Sequence, residues 1–145
     1  MKRHLLITFL SLLILLFITF LGCKKKNKEQ YIPYVYVDFY VSPSNPQFVA
    51  LGSPGGWAYV TGGSRGIIIY CSANNEYAAF DRHCPYLPEN SCGLVEVSKS
   101  NIMAVDSCCG SEFLLTDGSV LKSPSKYPLL RYQTTFDGSQ IHVYN

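Results

Sequence analysis

Imidazole and charge are what this chain has least of. Histidine occurs three times in 145 residues, and charged side chains make up 15% of the total. Beyond Gln30 only His83 and His142 remain, which excludes a metal centre built mainly on imidazoles. Six of the twelve Lys and Arg residues lie before Gln30. The remainder of the chain holds six against nine Asp and Glu, so it carries about −3 although the whole sequence is +2. No basic patch is left to neutralise phosphates, and no nucleic-acid partner is expected. Sustained helical periodicity is missing, which excludes a helical bundle. A nucleophile with a suitably spaced base, carboxylates that sequence alone can pair and a phosphate-cradling loop are missing too, so no independent catalytic residue is expected. Gly62-Gly63-Ser64-Arg65-Gly66 reads as a turn.

The one long hydrophobic run lies at the N-terminus. Met1-Lys2-Arg3-His4 is followed by Leu5 to Leu21, interrupted only by Thr8, Ser11 and Thr19. A basic start and an apolar stretch of this kind read as a secretory signal peptide over residues 1–22. Gly22-Cys23 resembles the cleavage and lipidation site of bacterial lipoproteins, although Phe20 and Leu21 are bulkier than the residues usual there. Cys23 would become the lipidated N-terminus and tie the protein to a membrane of the bacterial cell envelope, outside the cytoplasm. A permanent membrane-spanning anchor is the competing reading. Unless the chain from Lys24 onward remains cytoplasmic, it would place Lys24, Lys25, Lys26 and Lys28 on the translocated side, against the positive-inside rule. Residues 23–30 then form the lipidated cysteine and a basic tether with nothing apolar to dock on a core. Residues 31–145 are long enough for one domain.

That domain reads as β structure. Tyr34 to Val41 is rich in aromatic and β-branched residues and is broken by Pro43 and Pro46. Short apolar runs follow at Phe48–Leu51, Trp57–Thr61, Gly66–Cys71, Glu76–Phe80, Leu94–Val97, Ile102–Val105, Phe113–Thr116, Ser119–Leu121, Leu130–Phe136 and Gln140–Tyr144. Turn residues separate them at Gly55-Gly56, Gly62-Gly63, Asn74-Asn75, Asp117-Gly118 and Asp137-Gly138. Many short strands so punctuated imply an antiparallel sandwich or barrel. Cys71 ends an apolar strand and is expected to be a buried, inert thiol.

Two segments carry most of the chemistry, Asp81-Arg82-His83-Cys84-Pro85-Tyr86 and Asp106-Ser107-Cys108-Cys109-Gly110-Ser111-Glu112-Phe113. From Ile67 to Tyr144 the pattern resembles a Rieske domain. The shared features are a hairpin ending in Tyr77-Ala78-Ala79-Phe80-Asp81-Arg82, two loops flanking a small sheet, Asp117-Gly118-Ser119-Val120, Ser123-Pro124, Tyr127-Pro128-Leu129 and a closing hairpin. The resemblance implies an all-β, antiparallel Rieske-like sandwich with a small cluster-binding-type subdomain. In that family one loop supplies Cys-x-His and the other Cys-x-x-His to a 2Fe-2S cluster. Carried over residue by residue, the four ligand positions fall on Cys84, Tyr86, Asp106 and Cys109, so one ligand of four is kept. Neither His83 nor His142 has ligand spacing, and both are expected to be surface or strand-edge residues.

In several respiratory members of the family a disulfide ties the two loops, and the resemblance places that bridge at Cys92–Cys108. Cys84 and Cys109 would then face each other across the vacated pocket and could form a second bridge, in keeping with an oxidising compartment. The expectation is a pocket closed by disulfides and free of cofactor, in an accessory or binding protein with an unknown protein partner. Two alternatives stay open. Cys84, Cys92, Cys109 and either Cys108 or Asp106 could hold a 2Fe-2S cluster, for electron transfer, or zinc. The adjacent pair Cys108-Cys109 could exchange disulfides, although it lacks the intervening residues of Cys-x-x-Cys motifs.

Overall fold

The computed structural model describes residues 32–145. The expected signal peptide, the lipidation site Cys23 and the tether lie outside the described residues. Ten strands follow in the order β1 Asp38–Val41, β2 Trp57–Val60, β3 Ile67–Ala73, β4 Glu76–Asp81, β5 Val95–Val97, β6 Met103–Asp106, β7 Glu112–Leu114, β8 Val120–Lys122, β9 Arg131–Phe136 and β10 Ile141–Tyr144. They make two antiparallel sheets, a six-stranded one ordered β1-β10-β9-β4-β3-β2 and a four-stranded one ordered β5-β6-β7-β8. The smaller sheet is inserted between β4 and β9. Among the described residues no helix is long and apolar enough to cross a membrane.

Strand β3 shows why the layers stack as they do. Ile67, Ile68, Ile69, Tyr70 and Cys71 are all buried, as expected of a strand covered on both faces. With side chains alternating in direction, Ile67 and Ile69 join a core with Val41, Leu51, Ile141 and Val143. Ile68 and Tyr70 join another with Phe80, Cys84, Val95, Ala104, Phe113 and Leu115, which binds the two sheets together. Gly118 has φ +80, and a Cβ there would press against the ring of Phe80, so the Asp117-Gly118 turn is fixed by both backbone and packing. Cys71 is buried and its Sγ donates to the Ala73 carbonyl at 3.2 Å. Burial pushes this thiol up from its ordinary pKa.

One sequence expectation is corrected here. Phe48–Leu51 is not a strand but part of a 3-10 helix over Pro46–Gly52. Asn45 Oδ1 accepts the Gln47 N–H at 3.1 Å, and Pro46 sits in the first turn, where its missing donor costs nothing. The apolar run that looked like a strand instead delivers Leu51, fully buried, to the core.

The loop after β4, residues 82–94, is held from beneath by Asp81. Its buried carboxylate accepts the N–H groups of Ser64 at 2.6 Å, Arg65 at 3.3 Å and His83 at 2.8 Å, and the Tyr132 hydroxyl at 2.7 Å. Gly63 has φ +60, and a Cβ there would collide with the Asp81 carboxylate and the Tyr132 hydroxyl. The Arg65 guanidinium donates to the carbonyls of Pro88, Ser91 and Gly93. His83 is not a surface residue, with 3% exposure. Its ring lies between Ser64 Oγ at 2.8 Å and the Pro88 carbonyl at 2.7 Å. His142, on β10, contacts Asp38 Oδ1 at 2.7 Å and stacks on Tyr40.

Removing the Asp81 carboxylate would leave the buried N–H of His83 and the part-buried N–H groups of Ser64 and Arg65 without this acceptor. Asp81→Ala is expected to destabilise the domain by about 3 kcal/mol or more, whereas Tyr132→Phe, which removes one donor, costs about 1.5–3 kcal/mol. Urea unfolding of both variants checks the order, and equal losses would contradict it.

Candidate functional site

The second loop lies between β6 and β7 and is shaped by the last residue of β6. Asp106 is fully buried, and its Oδ1 accepts the N–H of Cys108 at 2.7 Å and of Cys109 at 3.4 Å. This Asx turn, closed by the Gly110 N–H donating to the Asp106 carbonyl at 2.7 Å, folds the loop back on itself. Gly110 takes φ +78, and the chain returns with the Ser111 N–H 3.4 Å from Cys109 Sγ. Ser111 Oγ stands 3.1 Å from the same sulfur and accepts the Ser125 N–H at 2.9 Å.

The first loop brings Cys84 to the same place. Its N–H donates to the Gly93 carbonyl at 3.1 Å, and its side chain is fully buried against Val95, Ala104 and Phe113. Cys84 Sγ lies 3.8 Å from Cys109 Sγ, and Cys109 Sγ lies 3.3 Å from Asp106 Oδ2. The donor atoms of Cys84, Asp106 and Cys109 all fall within 4.8 Å of one another. Burial first, and then the Asp106 carboxylate, push the Cys84 thiol far above the ordinary thiol range, while an N–H from Tyr86 works in the opposite direction. The Tyr86 ring is partly buried and packs against the core cluster that contains Cys84.

Cys92 and Cys108 form a disulfide between the loops, with Cα atoms 5.8 Å apart and a sequence separation of 16. Their sulfurs are therefore not free donors in this structure, which takes them out of the four-cysteine ligand set considered from sequence. Cys84 and Cys109 are not bridged here, and both are thiols. Cys109 Sγ lies instead within hydrogen-bonding reach of the Asp106 carboxylate, and Cys84 Sγ lies within 4.8 Å of it. Of the residues at the four ligand positions, the structure gathers Cys84, Asp106 and Cys109 and turns Tyr86 to packing.

Sequence reading missed Ser111, Arg65 and Asp81. Ser111 was visible only as part of a loop pattern, and its contact with a sulfur needs the positive φ of Gly110. Arg65 acts on backbone carbonyls some 26 residues away, for which no local signal exists. Asp81 stood in the quoted motif, but its partners come from three separate segments.

A disulfide closing a loop of this length contributes about 3 kcal/mol by restricting the unfolded chain. The double variant Cys92→Ser/Cys108→Ser is expected to lose about that much in urea unfolding. Wild-type protein treated with a reductant should shift equally, and an unchanged midpoint in both would count against a stabilising bridge.

No protein-family model and no curated protein sequence matches the chain. Among solved structures it is similar to the cyanobacterial plasma membrane Rieske protein PetC3 from Synechocystis PCC 6803. The TM-score is 0.56 and the identity 26%, over 74% of this chain and 99% of that one. The ferredoxin of carbazole 1,9a-dioxygenase from Nocardioides aromaticivorans IC177 also matches, with a TM-score of 0.49 and 13% identity over 77% of this chain and 98% of that one. With its ten antiparallel strands, its inserted four-stranded sheet and its two facing loops, the described part of the chain has a Rieske-like fold.

Proposed function

We propose that this protein is a lipid-anchored, extracytoplasmic Rieske-fold protein that works without a Rieske cluster, as an accessory or binding module of the bacterial cell envelope. The observation that carries this reading is the 3.8 Å between Cys84 Sγ and Cys109 Sγ. In the family the positions of these two residues serve different irons, so the full width of the iron-sulfide core would have to lie between them. Sulfurs nearly in contact leave no room for it. The donor set argues the same way: Tyr86 stands where one imidazole is needed, and Asp106 offers a hard oxygen where a thiolate belongs. These residues do not fit a 2Fe-2S cluster.

A Rieske fold without its cluster still presents a rigid surface made by two loops. Here that surface is stapled by the Cys92–Cys108 disulfide and underpinned by Asp81 and Arg65. Such rigidity lowers the ordering cost of binding. The membrane address rests on Gly22-Cys23 after an apolar run, and the description of PetC3 as a plasma membrane protein is in keeping with it.

Protein purified without oxygen should be colourless, contain no stoichiometric iron or acid-labile sulfide, and give no cluster signal in electron paramagnetic resonance after reduction. Two irons and two sulfides per chain would overturn the reading. The anchor is checked separately by labelling cells with an alkyne fatty acid. Label should appear on the wild type and vanish in Cys23→Ala, and unlabelled wild type would remove the lipid.

A further inference from the structure

We infer that Cys84, Asp106 and Cys109 form a mononuclear site for one thiophilic divalent cation of the zinc class, completed by a water molecule. This deepens the cluster-free reading of the same pocket and rests on it.

The distances are those of a single ion. Zinc binds thiolate sulfur at about 2.3 Å and carboxylate oxygen at about 2.0–2.2 Å in tetrahedral geometry, which sets two sulfur ligands about 3.8 Å apart and sulfur from oxygen about 3.5 Å apart. The observed separations are 3.8 Å between the sulfurs and 3.3 Å between Cys109 Sγ and Asp106 Oδ2. The spacing that is too short for two bridged irons therefore suits one metal. A carboxylate, poor at an iron-sulfur ligand position, is an ordinary zinc ligand.

A second, independent observation concerns the surroundings of the donors. Cys109 Sγ faces the backbone N–H of Ser111, two places ahead, at 3.4 Å, and Ser111 Oγ at 3.1 Å. This arrangement places fixed donors where thiolate charge would sit on Cys109. Asp106 is oriented as a ligand would be, with Oδ1 committed to the Cys108 and Cys109 N–H groups and Oδ2 left toward the sulfurs. Among the described residues, Arg65 is spent on carbonyls, and Arg82 on the Val95 carbonyl and Glu96. Binding would release the two thiol protons to solvent and leave two thiolates and a carboxylate around the ion. Three protein ligands with an open fourth position form the coordination set of reactive rather than purely structural zinc sites.

The test loads reduced full-length protein with zinc and then exchanges it for cobalt. One zinc per chain is expected by mass spectrometry of the metal. The cobalt form should show tetrahedral ligand-field bands with a charge-transfer band of two-thiolate intensity, a readout on wild-type protein that needs no variant to fold. Cys84→Ser and Cys109→Ser should each lower zinc affinity at least 100-fold and Asp106→Ala at least tenfold, while Cys92→Ser/Cys108→Ser should keep full loading. Absence of zinc uptake by iron-free protein, or an octahedral cobalt spectrum, would overturn the site and leave the cluster-free reading standing. Stoichiometric iron with sulfide would overturn both.

Discussion

The arrangement depends on a single buried carboxylate. Asp81 closes β4 and accepts hydrogen bonds from the β2–β3 turn, from the start of the first loop and from Tyr132 on β9. Four donors around one charge compensate for its burial, and their origins in separate segments make it the point where hairpin, loop and sheet are registered. Everything the first loop carries, Cys84 above all, is placed relative to that point. Gly63 is fixed for the same reason, since a side chain there would occupy the space the carboxylate needs.

A second carboxylate organises the other loop on a different principle. Asp106 is buried as well, but only one of its oxygens is committed to backbone N–H groups, and the other faces sulfur. Asp81 is a closed account of donors and acceptors, whereas Asp106 is left with capacity. That contrast separates a structural carboxylate from a ligand-like one more firmly than burial does, because both are fully buried.

The fold was legible because its signals are local. Turn residues such as Asp117-Gly118 and Asp137-Gly138, with alternating apolar strands between them, mark antiparallel hairpins wherever they occur, and the paired loops gave the family resemblance. Phe48–Leu51 was misread because an apolar run of that length has no period of its own, and Pro46 with Asn45 decided for a 3-10 turn. His83 was misjudged because its burial depends on Ser64 and Pro88, a contact set by tertiary placement. The site was legible as a list of positions but not as a geometry. Nothing in the spacing of Cys84 and Cys109 says that their sulfurs approach to 3.8 Å or that Tyr86 turns to packing.

The two bonding states open to Cys84 and Cys109 compete for the same sulfurs. In an oxidising compartment a disulfide between them removes the soft donors, whereas a bound cation keeps them as thiolates and out of reach of oxidants. The Cys92–Cys108 bridge bears on this competition. By holding the loops together on its own, it relieves the inner pair of any need to staple them. Oxidising the inner pair would also remove the S–H donor that Cys109 offers to Asp106 Oδ2. The outer disulfide and the ligand-like carboxylate thus act in the same direction, keeping two reduced sulfurs face to face.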